Sequence, residues 1–483
     1  MDIDQADAGQ QDDPRSSPAT PLARTALPGR AWLARVPTPR TLVFGSLALA
    51  ATVAAGLLVT GGASGPAAAA PTSPRPVAAV LATSPLATNA PATDRLTKAV
   101  AALQDTLRRE PTDDQSWASL GQAYLQQARL TADPSYYAKA STALDASLRL
   151  RPVGNGAALL GEATLAAGQH EFARALTLTD QAIALNPYSA SAYAVKADAL
   201  TELGHYDQAR SAVQRVLDLQ PGVDAFARAS YQYELRGQVD QARYAMTQAV
   251  EATTAPADKA FARHYLGELA FTQGDTATAL REDEAALALD PAYVPAIAGR
   301  ARTLAATGDT AGALAGYREA VQRQPQPAFV IALAELLAAD GQQAAATAEF
   351  AVVRATEQLF AAQGSNVDLE LALFEADHGT PADALRYAAS AYAARPDAIL
   401  VQDAYAWALH RAGRDAEALP IARRSLALGL DLASMRYHLG AIEAALGDRA
   451  AARRDLTAAL ARCPSFHPLQ APAARRLLTD LAG

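Results

Sequence analysis

One cysteine, Cys463, stands in the whole chain, so no intramolecular disulfide can form and no zinc site can be built from paired thiolates. Aromatic residues make up only 6% of a sequence that is half apolar. Alanine supplies much of that apolar content, and as the best helix former it tilts the chain toward helix. A surplus of basic charge is also missing: 42 Lys and Arg face 50 Asp and Glu, for a net charge of −8. The basic face on which nucleic-acid binders depend is therefore excluded. No phosphate-cradling glycine loop, nucleophile elbow or His-Glu-x-x-His run occurs. The seven histidines are scattered, His170 and His205 in predicted turns, His264, His378, His410 and His438 on predicted helices, His467 in a loop. No two of them share a metal-binding helical spacing. The chain is read as a non-enzyme, with no metal, no cofactor and no small-molecule substrate. Glu282-Asp283-Glu284 reads as a solvated outer helix face, and Cys463, just before Pro464, as a packing residue.

At 483 residues the chain exceeds what one hydrophobic core organises. Residues 1–40, rich in Pro, Ser, Asp and Gln and without apolar periodicity, are expected to be disordered and cytoplasmic. Thr41 to Thr60 reads TLVFGSLALAATVAAGLLVT, with no charge until Arg75. Twenty such residues rise about 30 Å as a helix, one hydrocarbon thickness. Arg24, Arg30, Arg35 and Arg40 precede the stretch, which predicts a single-pass inner-membrane helix with its N-terminus in the cytoplasm and everything after it outside. A cleaved signal peptide, cut near Pro66–Pro71 (PAAAAP), is the alternative. The stretch exceeds the usual h-region of about 7–15 residues, which favours an uncleaved anchor. Residues 61–92, rich in Ala, Pro and Thr, read as an extended spacer.

From Thr93 onward the organising signal is a period. Glycines followed by a short polar turn recur at Gly204, Gly237, Gly274, Gly308, Gly341, Gly379, Gly413 and Gly447, spaced 33, 37, 34, 33, 38, 34 and 34 residues apart. Around Tyr193–Pro221 the unit reads helix, glycine turn, helix, proline. Glycine supplies a left-handed helix end, and proline prevents the second helix from continuing. A small residue recurs inside the first helix as Gly121, Gly161, Ala197, Ser230, Gly267, Ala301, Ala334, Ala372, Ala406 and Gly440. Alanine recurs early in the second as Ala140, Ala175, Ala209, Ala242, Ala279, Ala313, Ala346, Ala384, Ala418 and Ala452. Small side chains at both points let paired helices approach closely where they cross.

This pattern resembles the tetratricopeptide repeat, and Trp117-Ala-Ser-Leu-Gly121-Gln-Ala-Tyr124 keeps the family's aromatic and Leu-Gly signature, echoed by Leu266-Gly267 and Leu439-Gly440. The resemblance implies an all-α solenoid over residues 93–483, a right-handed superhelix of about ten helix pairs, preceded by the transmembrane helix. Asp94–Arg109 is expected as a lone second helix with Ala99 at the alanine register, and Ala471–Leu481 as a C-terminal cap. Four departures interrupt the period: extra residues at Thr131–Ser135, two in the turn at Gln169–Glu171, a longer loop at Thr253–Asp258, and a second helix that runs on from Phe350 to about Ala362.

In tetratricopeptide proteins the first helices line a concave groove that holds peptide segments. Carried onto this chain, that face offers Asp198, Glu202, Tyr231, Glu234, His264, Glu268, Phe271, Arg302 and Glu335 in the middle repeats. Asp403, Trp407, His410, Arg411 and Tyr437 follow in the later ones. Exposed aromatics beside charges are what peptide anchors look like. Carboxylates on successive first helices favour a partner segment carrying Lys or Arg. After Ala92, 36 basic residues face 45 acidic ones, which agrees in sign. The expected function is a membrane-anchored scaffold for protein or peptide partners among envelope or secretory proteins. The alternative is a cleaved, secreted module of a polysaccharide synthesis and export system.

Overall fold

The computed structural model describes residues 92–482, residues 132 and 363 excepted. The predicted disordered segment, membrane span and spacer up to residue 91 lie outside the described residues. Among the described residues there are helices and no strand, and no helix is long and apolar enough to cross a membrane.

A lone helix, α1 (Ala92–Arg109), comes first. Ten helix pairs follow: α2 (Asp114–Thr131) with α3 (Ser135–Leu150), α4 (Gly156–Gly168) with α5 (Phe172–Leu185), α6 (Ala190–Glu202) with α7 (Tyr206–Leu219), α8 (Val223–Glu234) with α9 (Val239–Glu251), and α10 (Pro256–Thr272) with α11 (Thr276–Leu289). The next five are α12 (Val294–Thr307) with α13 (Thr310–Arg323), α14 (Pro327–Ala339) with α15 (Gln343–Ala362), α16 (Asp368–His378) with α17 (Pro381–Ala394), α18 (Ile399–Arg411) with α19 (Asp415–Ser425), and α20 (Ala433–Ala445) with α21 (Arg449–Arg462). A final helix, α22 (Gln470–Ala482), caps the end. Both terminal helices stand where the sequence places them.

The alanine register sits at the helix crossings: none of its ten members is more than 1% exposed. A Cβ on Gly121 would lie 2.6 Å from Leu144 Cγ, and one on Gly440 would lie 2.8 Å from Leu456 Cγ, so the facing helix occupies the space a side chain would need. Three second helices start on an aspartate cap directly after the glycine. Asp275, Asp309 and Asp448 accept from the backbone N–H of Thr278, Gly312 and Ala451 at 3.0, 2.9 and 3.1 Å.

Two of the expected departures resolve differently. The turn at Gln169–Glu171 is of ordinary length, because His170 adopts the left-handed conformation (φ 60°) that the expected turn glycines take, except Gly379 at φ −126°. Its ring Nδ1 donates to the Asn366 carbonyl at 2.8 Å and the ring stacks on Phe172, which holds the conformation in place. The residue twelve before Ala175 is then Ala163, fully buried, and α4 has the same 13 residues as α6, so this pair carries no insertion and Ala163, not Gly161, holds the small-residue position. Only Thr253–Ala255 of the expected loop at Thr253–Asp258 stay outside a helix, because Pro256 starts α10 at a position where its missing N–H costs nothing. The extension of α15 to Ala362 is present as expected.

Successive turns of the solenoid touch. The loop after α17 lies on the glycine turn of the third pair: a Cβ on Gly204 would be 2.6 Å from the Ala398 nitrogen. Beside it, Arg395 Nη1 donates to Glu202 Oε2 at 3.0 Å and the Ile399 amide donates to Tyr206 Oη at 2.8 Å. One pair further on, a Cβ on Gly237 would be 2.6 Å from the Gly429 oxygen. Each such contact joins a repeat to the loop about five repeats later. An ordinary repeat array joins only neighbours.

Candidate partner-binding face

The first helices α6, α8, α10, α12 and α14 bring the predicted middle-repeat residues onto one inner wall, and their charges largely answer one another. Asp198 on α6 receives Arg228 of α8 in a fork, Nε to Oδ1 at 2.9 Å and Nη2 to Oδ2 at 2.8 Å. Glu202 pairs with Arg395 from the next turn. Glu268 on α10 accepts from Arg302 on α12 at 2.5 Å, and the same guanidinium lies 4.0 Å over the Phe271 ring, itself buried. His264 is buried against Asp283, Nδ1 to Oδ1 at 2.8 Å. Glu335 on α14 is held from two sides, by His378 Nε2 at 2.8 Å and by His467 Nε2 at 3.0 Å.

The electrostatics follow from burial and from these partners. Burial pushes the Asp198 and Glu202 carboxyls upward against the pull of Arg228 and Arg395. At Glu335 burial is outweighed by the two histidines, which hold the carboxyl at about 2, while the His467 imidazolium is favoured in return. Glu234, at the end of α8, differs from the rest. It has no ion-pair partner among the described residues, and burial, with Glu268 second, raises it to about 7. Tyr231 and Tyr265 stand within its field, both half-buried. The wall is thus neutralised in pairs except at Glu234.

The later residues pack inward. Trp407 is 3% exposed, stacks between His410 and His438 at 4.9 and 4.2 Å, and donates from Nε1 to Asp377 at 2.9 Å. Tyr437 leans on it at 5.6 Å, Asp403 accepts from His438, and Arg411 donates to the Ala376 carbonyl. This cluster is the packing between α16, α18, α20 and the α22 cap.

The sequence reading placed Asp283 on an outer face, and this is corrected: Asp283 is 1% exposed, in space left by Gly267 and Gly299. A Cβ on Gly299 would meet its carboxylate at 2.5 Å, so the two glycines were the available signal. Of its neighbours, Glu284 is exposed as expected, whereas Glu282 is mostly covered and pairs with Arg263. Sequence reasoning also missed Arg228, Tyr265, Arg395 and His467 as partners on this wall. Cys463 is buried beside Gly274, as a packing residue would be. Among the described residues no cluster of His, Cys, Asp or Glu could hold a metal ion.

Family models described as tetratricopeptide repeat match residues 86–147 and 164–230. A search of curated proteins finds no match. Similar solved structures include the Cut9–Hcn1 hetero-tetramer of APC/C, at 13% identity over 81% of this chain and 94% of that one, TM-score 0.38. A thermophilic tetratricopeptide protein of Thermus thermophilus is 22% identical over 40% of this chain and 99% of its own, TM-score 0.35. PilW, a type IV pilus biogenesis factor, is 19% identical over 41% and 92%, TM-score 0.35.

Proposed function

The chain is a tetratricopeptide-repeat protein, a class of protein–protein interaction scaffold, and from that premise we propose that it captures a peptide segment of an envelope or secretory protein on its inner wall. The observation that carries this reading is Glu234, a half-buried carboxyl on the wall with no ionic partner among the described residues, flanked by Tyr231 and Tyr265. A segment presenting Lys or Arg next to an apolar side chain would supply the missing counter-charge, with the tyrosine faces as anchors. Glu268, already taken by Arg302, sets the charge of the surroundings and does not itself bind.

The proposal places the scaffold outside a bacterial inner membrane, held by residues 41–60, on the strength of the apolar run and the arginines before it. Protease added to intact spheroplasts should remove the repeats and spare a tag placed before Asp2; protected repeats would reverse the orientation. A mature protein that begins near Pro66–Pro71 would favour the cleaved, secreted alternative. For the wall, Glu234→Lys in the full chain should weaken capture of basic peptides from an immobilised array and flatten its salt dependence, with helix content unchanged. Undiminished capture would move the binding surface elsewhere.

A further inference from the structure

The added length of α15 helps build a small pocket. No other second helix runs more than ten residues past its register alanine, as from Ala279 to Leu289 or Ala313 to Arg323; α15 continues sixteen past Ala346. Glu357 is the first residue of that extra length, and it is 4% exposed. Together with the loop before α16 it borders a half-open pocket of about 220 Å³, lined also by Arg354, Ser365, Val367, Asp368, Leu371 and Tyr387. That is room for several waters at about 30 Å³ each.

Most polar groups around the cavity are satisfied. Arg354 donates to Glu375 and to the His378 carbonyl, and Asp368 accepts from Ser390. Two are left over: the Glu357 carboxyl has no partner among the described residues, and Ser365 Oγ, on a residue 7% exposed, has none either. Behind them Glu370 Oε2 is buried without a hydrogen bond. A buried polar group without a partner is costly, and two carboxyls with an idle hydroxyl call for a cation that donates hydrogen bonds. The apolar sides of Val367 and Leu371 suit a hydrocarbon stem. A compact ammonium fits beside Arg354 better than a second planar guanidinium would.

We propose that this cavity is a socket for a primary ammonium on an aliphatic stem, its head held by Glu357 and Ser365 and its stem lying along Val367 and Leu371. Burial, with Glu370 second, raises the empty Glu357 to about 8, so it is largely protonated at neutral pH. An arriving ammonium then displaces that proton to solvent and leaves a carboxylate–ammonium pair. The other charged groups facing Glu357 are Arg354 on its own helix, Asp368, Glu370 and Glu375 on α16, and His170 across from Glu370 at 3.8 Å.

The ammonium is carried either by a protein lysine or by a free diamine, and two probes separate these sources: a blocked Gly-Lys-Gly peptide and 1,5-diaminopentane. Each is titrated calorimetrically into the full chain at pH 7 in two buffers of different ionisation enthalpy. At least one probe should bind with release of up to one proton, and the acetyl-lysine peptide should not bind. Tighter peptide binding assigns the socket to a protein lysine, tighter diamine binding to a small amine. Glu357→Gln, an isostere of the protonated acid that leaves the fold intact, should weaken binding roughly tenfold or more and abolish the proton release. Ser365→Ala should weaken it by a smaller factor. No heat from either probe at millimolar concentration, or binding and proton release indifferent to Glu357→Gln, overturns the proposal. The Glu234 reading is untouched by either result, because the two sets of residues do not overlap.

Discussion

Replacing Gly204 by alanine incurs two costs, and the same change at Gly447 incurs only one of them. Gly204 and Gly447 have nearly the same left-handed backbone, φ 81° and 82°. An alanine in that conformation costs roughly 1–2 kcal/mol at either place. The surroundings differ: a Cβ on Gly447 meets nothing within 4 Å, whereas one on Gly204 comes 2.6 Å from the Ala398 nitrogen, a backbone atom that cannot rotate away. Forcing the two turns of the solenoid apart adds overpacking of roughly 1–3 kcal/mol. Gly204→Ala should therefore cost about 2–5 kcal/mol against about 1–2 for Gly447→Ala. Denaturant unfolding compares the totals, and hydrogen exchange places the damage. The Ile399 amide, which donates to Tyr206 Oη across the contact, should lose protection in Gly204→Ala and keep it in Gly447→Ala. Equal destabilisation by the two substitutions, with Ile399 still protected in both, would refute the reasoning.

Other expectations follow from the register and the charges. Ala313→Leu, at a fully buried crossing, should cost roughly 1–3 kcal/mol in denaturant unfolding, while Ala311→Leu, two residues away and exposed, should be close to neutral. The Glu234 carboxyl is raised from 4.5 to about 7, so the fold loses stability as pH climbs through that interval. Glu234→Gln should then raise the melting temperature at pH 8 relative to wild type and leave it unchanged at pH 4; equal shifts at both would remove the burial argument. Glu335 is held down at about 2, so its contribution is present above about pH 4.5 and fades as pH falls toward 2. His467 is raised from 6.5, so its share fades as pH rises through the raised value. Glu335→Gln should accordingly destabilise most between about pH 5 and 6, and a flat pH profile would show that the bridge carries no net charge energy.

Much of the fold is written locally. The alanine register, the glycine turns and the closing prolines act within one repeat, so a period of about 34 residues exposes them; the lone first helix follows from the same register and the last from the need to cap an array. What failed was non-local or disguised. His170 hides a glycine-type turn because its hold comes from Asn366, 196 residues on. Glu202 reads as a free wall carboxylate until Arg395 arrives from the next turn, 193 residues away. Trp407 has the composition of an anchor, yet its indole N–H is claimed by Asp377 inside the same packing. Asp283 sits in an acidic run that resembles a surface, and only the two glycines that make room for it betray its burial. Spacing reports which helix face a residue occupies; it is silent on what a second turn of solenoid lays over that face.

The turn-on-turn contacts also set a clock on biosynthesis. Arrays whose contacts are all local can fold as fast as they emerge, but the lid over Gly204 and Tyr206 is made of Ala398 and Ile399, 193 residues downstream of Tyr206. At about 5–20 residues per second, the third pair waits on the order of 10–40 s after synthesis before its covering loop exists. Through that interval the Glu202 carboxylate and the Tyr206 hydroxyl are open to any cellular factor, and they close only when the eighth and ninth pairs arrive. The nascent chain thus passes through a half-built stage whose exposed surface differs from that of the finished protein.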